Sequence, residues 1–376
     1  MLLDESADGM RLDSFLHSKF PQFSRSRWSQ VLARGVLQLN HKAAESSTRL
    51  KNGQTLTFNA SEDIHILDST QIAFESAENL KNLKYKGEVP SILFEDDDLC
   101  VIDKPAGLAV HPGSGLQLDE TLVGWAYAEK KYDAELVDEL LKAGPLDLEV
   151  RRPGIVHRLD KGTSGVMVIA KSRRAHQPLS EQFSRREASR LYFAVIPAGI
   201  SKILEKRSSQ LDAWLQKQPC PLAIQVNSSK LFSFVSFLER DPVSRIKFRV
   251  SPLLMGKKAI THFIEVSKSD THSLVELKLE TGRTHQIRVH LAFLGFPILG
   301  DHVYGGKEDS RIRLHAHSLT LTHPISKERM QFSAPWDEKS LCELSAMGLV
   351  PESRILEAIK GGASISNNDS VEEFHE

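Results

Sequence analysis

The run Gly154-Ile155-Val156-His157-Arg158-Leu159-Asp160-Lys161-Gly162-Thr163-Ser164-Gly165 decides how this chain is read. It places one carboxylate, Asp160, in a turn-forming segment among the side chains of His157, Arg158 and Lys161, which can hold an acid in its ionised form. Gly162 and Gly165 give the backbone freedom on either side of Thr163-Ser164. A strand follows at once, because Val166-Met167-Val168-Ile169-Ala170 is short, apolar and β-branched. For an isolated Arg-Leu-Asp triplet the simpler account is an acid that pairs with its neighbour or caps a turn. The rest of the chain must show whether this one does more.

The chain has 376 residues, enough for two or more folded units, and its 40% hydrophobic and 26% charged residues are those of an ordinary globular protein. The net charge of -1 does not by itself point to nucleic acid. The local balance does: residues 151–190 hold ten Lys/Arg against three acids, Asp160, Glu181 and Glu187. A solvated helix face would explain such a run, and so would a surface that contacts phosphates. Cys100, Cys220 and Cys342 are far apart and in no metal-ligand spacing, so reduced thiols in a cytoplasmic protein are expected. No metal site, secretory signal or membrane span is expected.

In chain order, residues 10–56 read as a small unit. Met10 to Leu16 is helical by spacing, Ser24 can cap a second helix through Trp28 and Leu32, and Arg34 to Asn40 reads as helix end, turn and strand. Residues 61–90 are polar and read as a linker. Strands follow at Ile92–Phe94 and Leu99–Ile102, then Lys104-Pro105-Ala106-Gly107-Leu108-Ala109-Val110-His111-Pro112. Lys104 reads as a phosphate contact or a loop anchor, and His111 as structural. Leu122 to Leu141 is an interrupted helix, whose acids make a solvated face rather than a glycosidase pair. His176 to Arg190 reads as a basic helix and Leu191–Val195 as a strand. Strand alternation through Leu279 then leads to Thr281-Gly282-Arg283-Thr284-His285-Gln286-Ile287-Arg288-Val289-His290, in which Thr284 can cap a helix that stops at Gly295. The domain should end near Trp336, and the acidic tail through Glu376 should be disordered.

Four of these strings resemble the RluA-type pseudouridine synthases. Residues 157–165 match His-Arg-Leu-Asp-x-x-Thr-Ser-Gly. Residues 281–290 match Thr-Gly-Arg-x-His-Gln-Ile-Arg-x-His. Residues 104–112 match Lys-Pro-x-Gly-hydrophobic-x-x-His-Pro. Residues 190–194 match Lys-x-Tyr-x-Ala, with Arg190 in place of the lysine. Gly300 to Gly305, Leu314–Ala316 and His323-Pro324 also resemble the family and read as loop and core support. Residues 10–58 resemble an S4 RNA-binding domain, with His41 where that domain has glycine after Asn40.

The resemblance implies an α+β fold: a mixed, largely antiparallel sheet with flanking helices, preceded by a small N-terminal α/β S4-like domain. The expected boundaries are 1–60 for the S4-like domain, 61–90 for the linker, 91–340 for the catalytic domain with an atypical insert at 198–256, and 341–376 for a C-terminal extension. It implies an isomerase that needs no cofactor. Asp160 is the catalytic acid, Arg288 pairs with it, and Tyr192 packs on the target uracil and handles its proton. Asp160 either attacks the sugar or removes a sugar proton; the sequence leaves both open. A uridine in folded RNA must first be extruded. By resemblance Arg158 fills the vacated stack, and Lys104, Arg283, Arg11, Arg25, Arg27 and Arg34 are the further candidate RNA contacts. Large-subunit ribosomal RNA is the favoured substrate and transfer RNA the alternative, for a monomer that acts on RNA and not at a membrane. The rival classes are a non-catalytic RNA-binding ribosome-assembly factor and a glycoside-type hydrolase.

Overall fold

The computed structural model of this chain describes residues 3–20, 25, 28–29, 32, 37–58, 82–111, 117–138, 153–202, 223–226, 231–244, 246–252 and 256–349. The chain divides into two compact units, 1–83 with 138–151, and 84–137 with 152–376.

In the first unit, helix α1 (Leu12–Lys19) turns Leu12, Phe15 and Leu16 into a core with Trp28, Leu32, Leu37, Leu50 and Leu56. No side chain caps α1; its first N–H groups instead donate to Thr48 O at 2.9 Å and Ser46 O at 3.1 Å. Asp13, nearly buried on α1, accepts from Arg11 Nε at 3.1 Å and Arg25 Nη2 at 3.0 Å. These two arginines outweigh the cost of its burial and hold its carboxyl down at about 2. Strands β1 (Leu37–Leu39), β2 (Lys42–Ala43) and β3 (Leu56–Phe58) form an antiparallel sheet in the order β2-β1-β3. The turn between β1 and β2 needs left-handed backbone at Asn40 (φ 51°) and His41 (φ 64°). Asparagine accepts this conformation more readily than histidine, and glycine more readily than either.

The second unit is built on an eleven-stranded sheet. Its strands are β4 (Ser91–Glu95), β5 (Leu99–Lys104), β6 (Ser164–Ala170), β7 (Ser189–Pro197), β8 (Ala223–Val226), β9 (Phe232–Arg240), β10 (Phe248–Val250), β11 (Lys257–Lys268), β12 (His272–Leu279), β13 (Leu314–Thr322) and β14 (Arg329–Ser333). Their order is β10-β9-β11-β12-β7-β13-β6-β5-β4, with β14 on β13 and β8 on β9. The β13–β6 pair is parallel and the other described pairs are antiparallel. The fold is therefore α+β on a mixed, largely antiparallel sheet. Every residue of β6 is buried, as its continuous apolar run requires.

Helices α2 (Leu122–Ala128), α3 (Arg173–Ser184), α4 (Gln286–Phe293) and α5 (Glu338–Ala346) flank the sheet. Ala175 and Leu179 of α3 pack with Leu99, Val101, Val166 and Val168.

Three expectations change, and one left open is resolved. The basic helix runs over 173–184, not 176–190, because Ser172 caps it by accepting from Ala175 N–H at 3.2 Å; Arg186 then turns left-handed (φ 64°) and Arg190 lies in β7. The atypical insert at 198–256, for which the sequence leaves packing on the domain and contact with RNA open, packs on the domain in its described strands. Its strands extend the sheet, and β9 pairs with β11 from Phe232↔Phe263 to Leu238↔Lys257. The domain also runs past Trp336, since Leu344 of α5 and Leu349 join Phe193, Val195 and Leu274 in one core cluster. Finally, α4 starts at Gln286 behind a left-handed His285 (φ 57°), with no side-chain cap from Thr284. The tail expected to be disordered, 361–376, lies outside the described residues.

Three histidines, of which His290 and His315 are buried and His157 is half-buried, act as polar ties. His290 bridges Ser236 Oγ at 2.8 Å and Thr261 Oγ1 at 2.9 Å, fixing α4 to β9 and β11. His315 joins Ser164 Oγ at 2.9 Å to Ala334 O at 2.8 Å. His157 accepts the Val168 N–H at 3.0 Å and stacks on Phe183. Burial pushes each down to about 3.

Two predictions follow from these placements. Substituting His41→Gly should relieve left-handed strain and stabilise the first unit by about 1 kcal/mol, read as a higher urea midpoint. Between pH 6.5 and 3 the unfolded chain protonates these three histidines and the folded chain does not, so stability falls as pH falls. Each contributes on the order of 1–2 kcal/mol by pH 5. Asp103, raised by burial to about 6, opposes them in the same window. The urea midpoint of the second unit should therefore drop between pH 7 and 5, and an unchanged midpoint would refute the assignment.

Candidate active site

Asp160 sits on the loop that enters β6, and the loop is fastened at several points. Thr163 N–H donates to Asp160 O at 3.0 Å, and Gly107 N–H to Lys161 O at 2.7 Å. Leu159 and Thr163 are buried. Gly165 has φ 113°, and a Cβ there would lie 2.1 Å from Ala316 O, so the close approach of β6 to β13 requires glycine. Gly162 has no such backbone need; a Cβ there would meet the side chain of Ile312 at 2.7 Å.

Lys104, expected among the RNA contacts, is fully buried. Its Nζ donates to Leu108 O at 2.8 Å, Pro105 O at 2.9 Å and Lys161 O at 3.4 Å. Burial brings its pKa down to about 7, with Asp160 acting in the other direction. Lys104 therefore anchors the loop that carries Asp160, and a phosphate cannot reach it. His157 is also reassigned. Half-buried, and held neutral by desolvation that brings its pKa down to about 3, it supplies no positive charge to Asp160.

The partner of Asp160 comes from α4. Arg288 is 5% exposed, and its Nη1 donates to Asp160 Oδ2 at 3.1 Å. Its Nε and Nη2 donate to the two carboxylate oxygens of Asp301 at 2.7 and 2.8 Å, a fork that fixes the guanidinium plane. The Tyr304 ring lies beneath it, 5.0 Å from Cζ. Desolvation works against the charge on Arg288, but the two carboxylates outweigh it and raise its pKa. Asp301 is fully buried, and its side chain also accepts from Tyr304 N–H at 3.3 Å.

A cleft of about 350 Å³ opens over this pair. Tyr192, from β7, lines it; burial raises its phenol pKa, with Arg190 lowering and Asp160 raising it further. Arg158, Arg186, Arg190 and Arg283 line it as well, so its wall is basic where a polyanion would enter. Arg158 is exposed, and Arg283 Nε donates to Lys258 O at 3.1 Å. Gln286, at the start of α4, satisfies both ends of its amide. It accepts from Thr281 Oγ1 and Arg283 N–H at 2.7 and 3.1 Å, and donates to Ile260 O and Thr261 Oγ1 at 2.9 Å each.

The structure thus brings together Asp160, Tyr192, Arg288, Arg158 and Arg283. Arg11 and Arg25 lie in the first unit and brace Asp13. Arg27 and Arg34 lie outside the described residues. Sequence reasoning missed Asp301, Tyr304 and His285 as parts of the site. The first two stood in the Gly300–Gly305 string, read as loop support; their service to Arg288 depends on a fold contact that spacing cannot reveal. Among the described residues no cluster has the make-up of a metal site, and no helix is long and apolar enough to cross a membrane.

The chain is similar to several known proteins. Residues 98–293 match the family model described as RNA pseudouridylate synthase. The chain is 34% identical over 363 residues to the ribosomal large subunit pseudouridine synthase D of Xanthomonas campestris, covering 92% of this chain and 91% of that protein. It is 33% identical over 359 residues to the protein of the same name from Xylella fastidiosa, covering 91% and 90%. Among solved structures, human RNA pseudouridylate synthase domain containing 4 aligns with a TM-score of 0.46 and 24% identity, over 74% of this chain and 99% of that one. Similarity along nearly the whole length of both chains, joined to the Asp160–Arg288 cleft, leads to one conclusion: this chain belongs to the RNA pseudouridylate synthase family.

Proposed function

We propose that this enzyme isomerises uridine in large-subunit ribosomal RNA, with Asp160 as the catalytic acid, Arg288 as its fixed counter-charge and Tyr192 against the uracil. The observation that carries this reading is the 3.1 Å contact of Arg288 Nη1 with Asp160 Oδ2 at the floor of a basic cleft. The reaction breaks N1–C1′, turns the base and joins C5 to C1′; C5 loses a proton and N1 gains one. The product is an isomer, so electrons balance without an oxidant or reductant. A single ionised carboxylate can open the sequence, either by bonding to C1′ or by taking a sugar proton. Tyr192, held protonated by burial, offers a flat ring and a hydroxyl beside the base. Extruding the nucleotide costs a few kcal/mol, which contacts from Arg158 and Arg283 to the RNA would offset. Within the first unit, residues 1–60 would add RNA affinity as an S4-like domain. Arg25 keeps a side chain that is 52% exposed while one nitrogen holds Asp13.

The names of the relatives support ribosomal RNA as the substrate. The direct test is a map of pseudouridines in total RNA from cells with and without the gene. Sites lost from large-subunit ribosomal RNA support the proposal; sites lost only from transfer RNA refute that choice.

A lysine cannot bridge two carboxylates as the guanidinium fork does. Arg288→Lys should therefore cut the rate of pseudouridine formation roughly 100-fold. It should also lower folding stability by about 3 kcal/mol, because Asp301 loses its paired partner while fully buried. Single-turnover rates and urea denaturation check the two effects separately.

A further inference from the structure

The Tyr304 hydroxyl accepts the backbone N–H of Phe248 at 2.9 Å and lies 2.8 Å from Nδ1 of His285. Phe248 opens β10, within the 198–256 segment for which the sequence offered no chemical role. A peptide N–H can only donate. With the Phe248 N–H on one lone pair of the Tyr304 oxygen, the arrangement that also gives the hydroxyl proton an acceptor turns it to His285, with Nδ1 accepting. A neutral imidazole that accepts at Nδ1 carries its proton on Nε2. That nitrogen stands 3.9 Å from Asp160 Oδ2. Burial lowers the pKa of His285, Asp160 and Asp301 raise it, and Arg288 and Arg158 lower it further, so the ring is neutral at neutral pH.

We propose that His285 is a positioning residue for Asp160, with its tautomer set by the Phe248 amide through Tyr304 so that Nε2–H is presented to the carboxylate. This rests on Asp160 being the catalytic acid. Arg288 Nη1 and His285 Nε2 converge on the same oxygen, Oδ2. Among the described residues no hydrogen bond or ion pair falls on Oδ1, which leaves that oxygen to face the nucleotide. The 3.9 Å gap is longer than a hydrogen bond, and such contacts shorten when substrate enters. The inserted strands thereby take part in the site: β10 supplies the donor that begins the relay.

His285 also has left-handed backbone, φ 57° and ψ 19°. That fact makes the proposal separable from a purely conformational role. Asparagine accepts left-handed backbone readily, and glutamine does so less well. A glutamine amide nitrogen reaches where Nε2 lies; an asparagine amide reaches only to Nδ1. The donor role favours His285→Gln, and the conformational role favours His285→Asn.

The test pairs pseudouridine formation by these two variants with long-range ¹H–¹⁵N correlation of the histidine rings in wild type and Tyr304→Phe. His285→Gln identifies the resonance by its loss. The wild-type ring should show the Nε2–H tautomer, and Tyr304→Phe should convert it to a mixture. His285→Gln should exceed His285→Asn in kcat by about 10-fold, with KM for RNA within roughly twofold. An Nδ1–H ring in the wild type, or an asparagine variant as active as the glutamine one, would overturn the proposal. The tautomer is read without turnover. Inactivity on every RNA would therefore sink the functional reading, while the ring spectrum still decides this one.

Discussion

The Arg288 guanidinium is shared between two acids of different standing, and the site depends on that division. Asp301 is fully buried and takes two of the three nitrogens. Asp160 faces the cleft and takes the third. An arginine alone in so dry a place would lose too much hydration to persist. Asp301 offsets that cost and also sets the plane and direction of the group. The nitrogen aimed at Asp160 is therefore placed before any RNA arrives. Preorganisation of this kind is what a reaction with one working carboxylate needs, because little reorganisation is left for the moment of bond cleavage.

The sheet brings distant parts of the chain to this point. Asp160 precedes β6, Tyr192 lies in β7, and β13 runs between those strands. β12 leads through Thr281 into α4 and Arg288. The close contact of β6 with β13 at Gly165 and the Lys104 ammonium on Lys161 O hold the segment that follows Asp160. A buried lysine serving as a hub for three carbonyls is a structural device. Its burial deprives it of the phosphate role that its charge invites.

What the sequence revealed follows physical lines. Asp160, Tyr192 and Arg288 stood in strings distinctive enough to be singled out, and all three line the cleft. Strand patterns located β5, β6, β7 and β12, since continuous or alternating burial leaves a periodic trace. Asp301 left no such trace, because its meaning is a fork made to a residue thirteen positions earlier across a turn. For Lys104 the sequence leaves phosphate contact and loop anchor open, and burial selects the anchor; for His157 charge and proximity in sequence are visible, and desolvation is not. The 198–256 segment was read as an insert because its strands resemble no family string, yet β9 is fully paired in the sheet. The S4-like reading of the first unit remains a proposal, supported by a helix, a small sheet and an apolar core in the expected order.

The central claim is that one carboxylate carries the chemistry. It is tested most directly by replacing that group without changing its size and following tritium release from uridine-labelled ribosomal RNA beside direct measurement of RNA binding. For Asp160→Asn the account predicts RNA affinity within roughly threefold of wild type and release slowed by at least about 1000-fold. Tritium release by Asp160→Asn within about 10-fold of the wild-type rate, with binding intact, would contradict it.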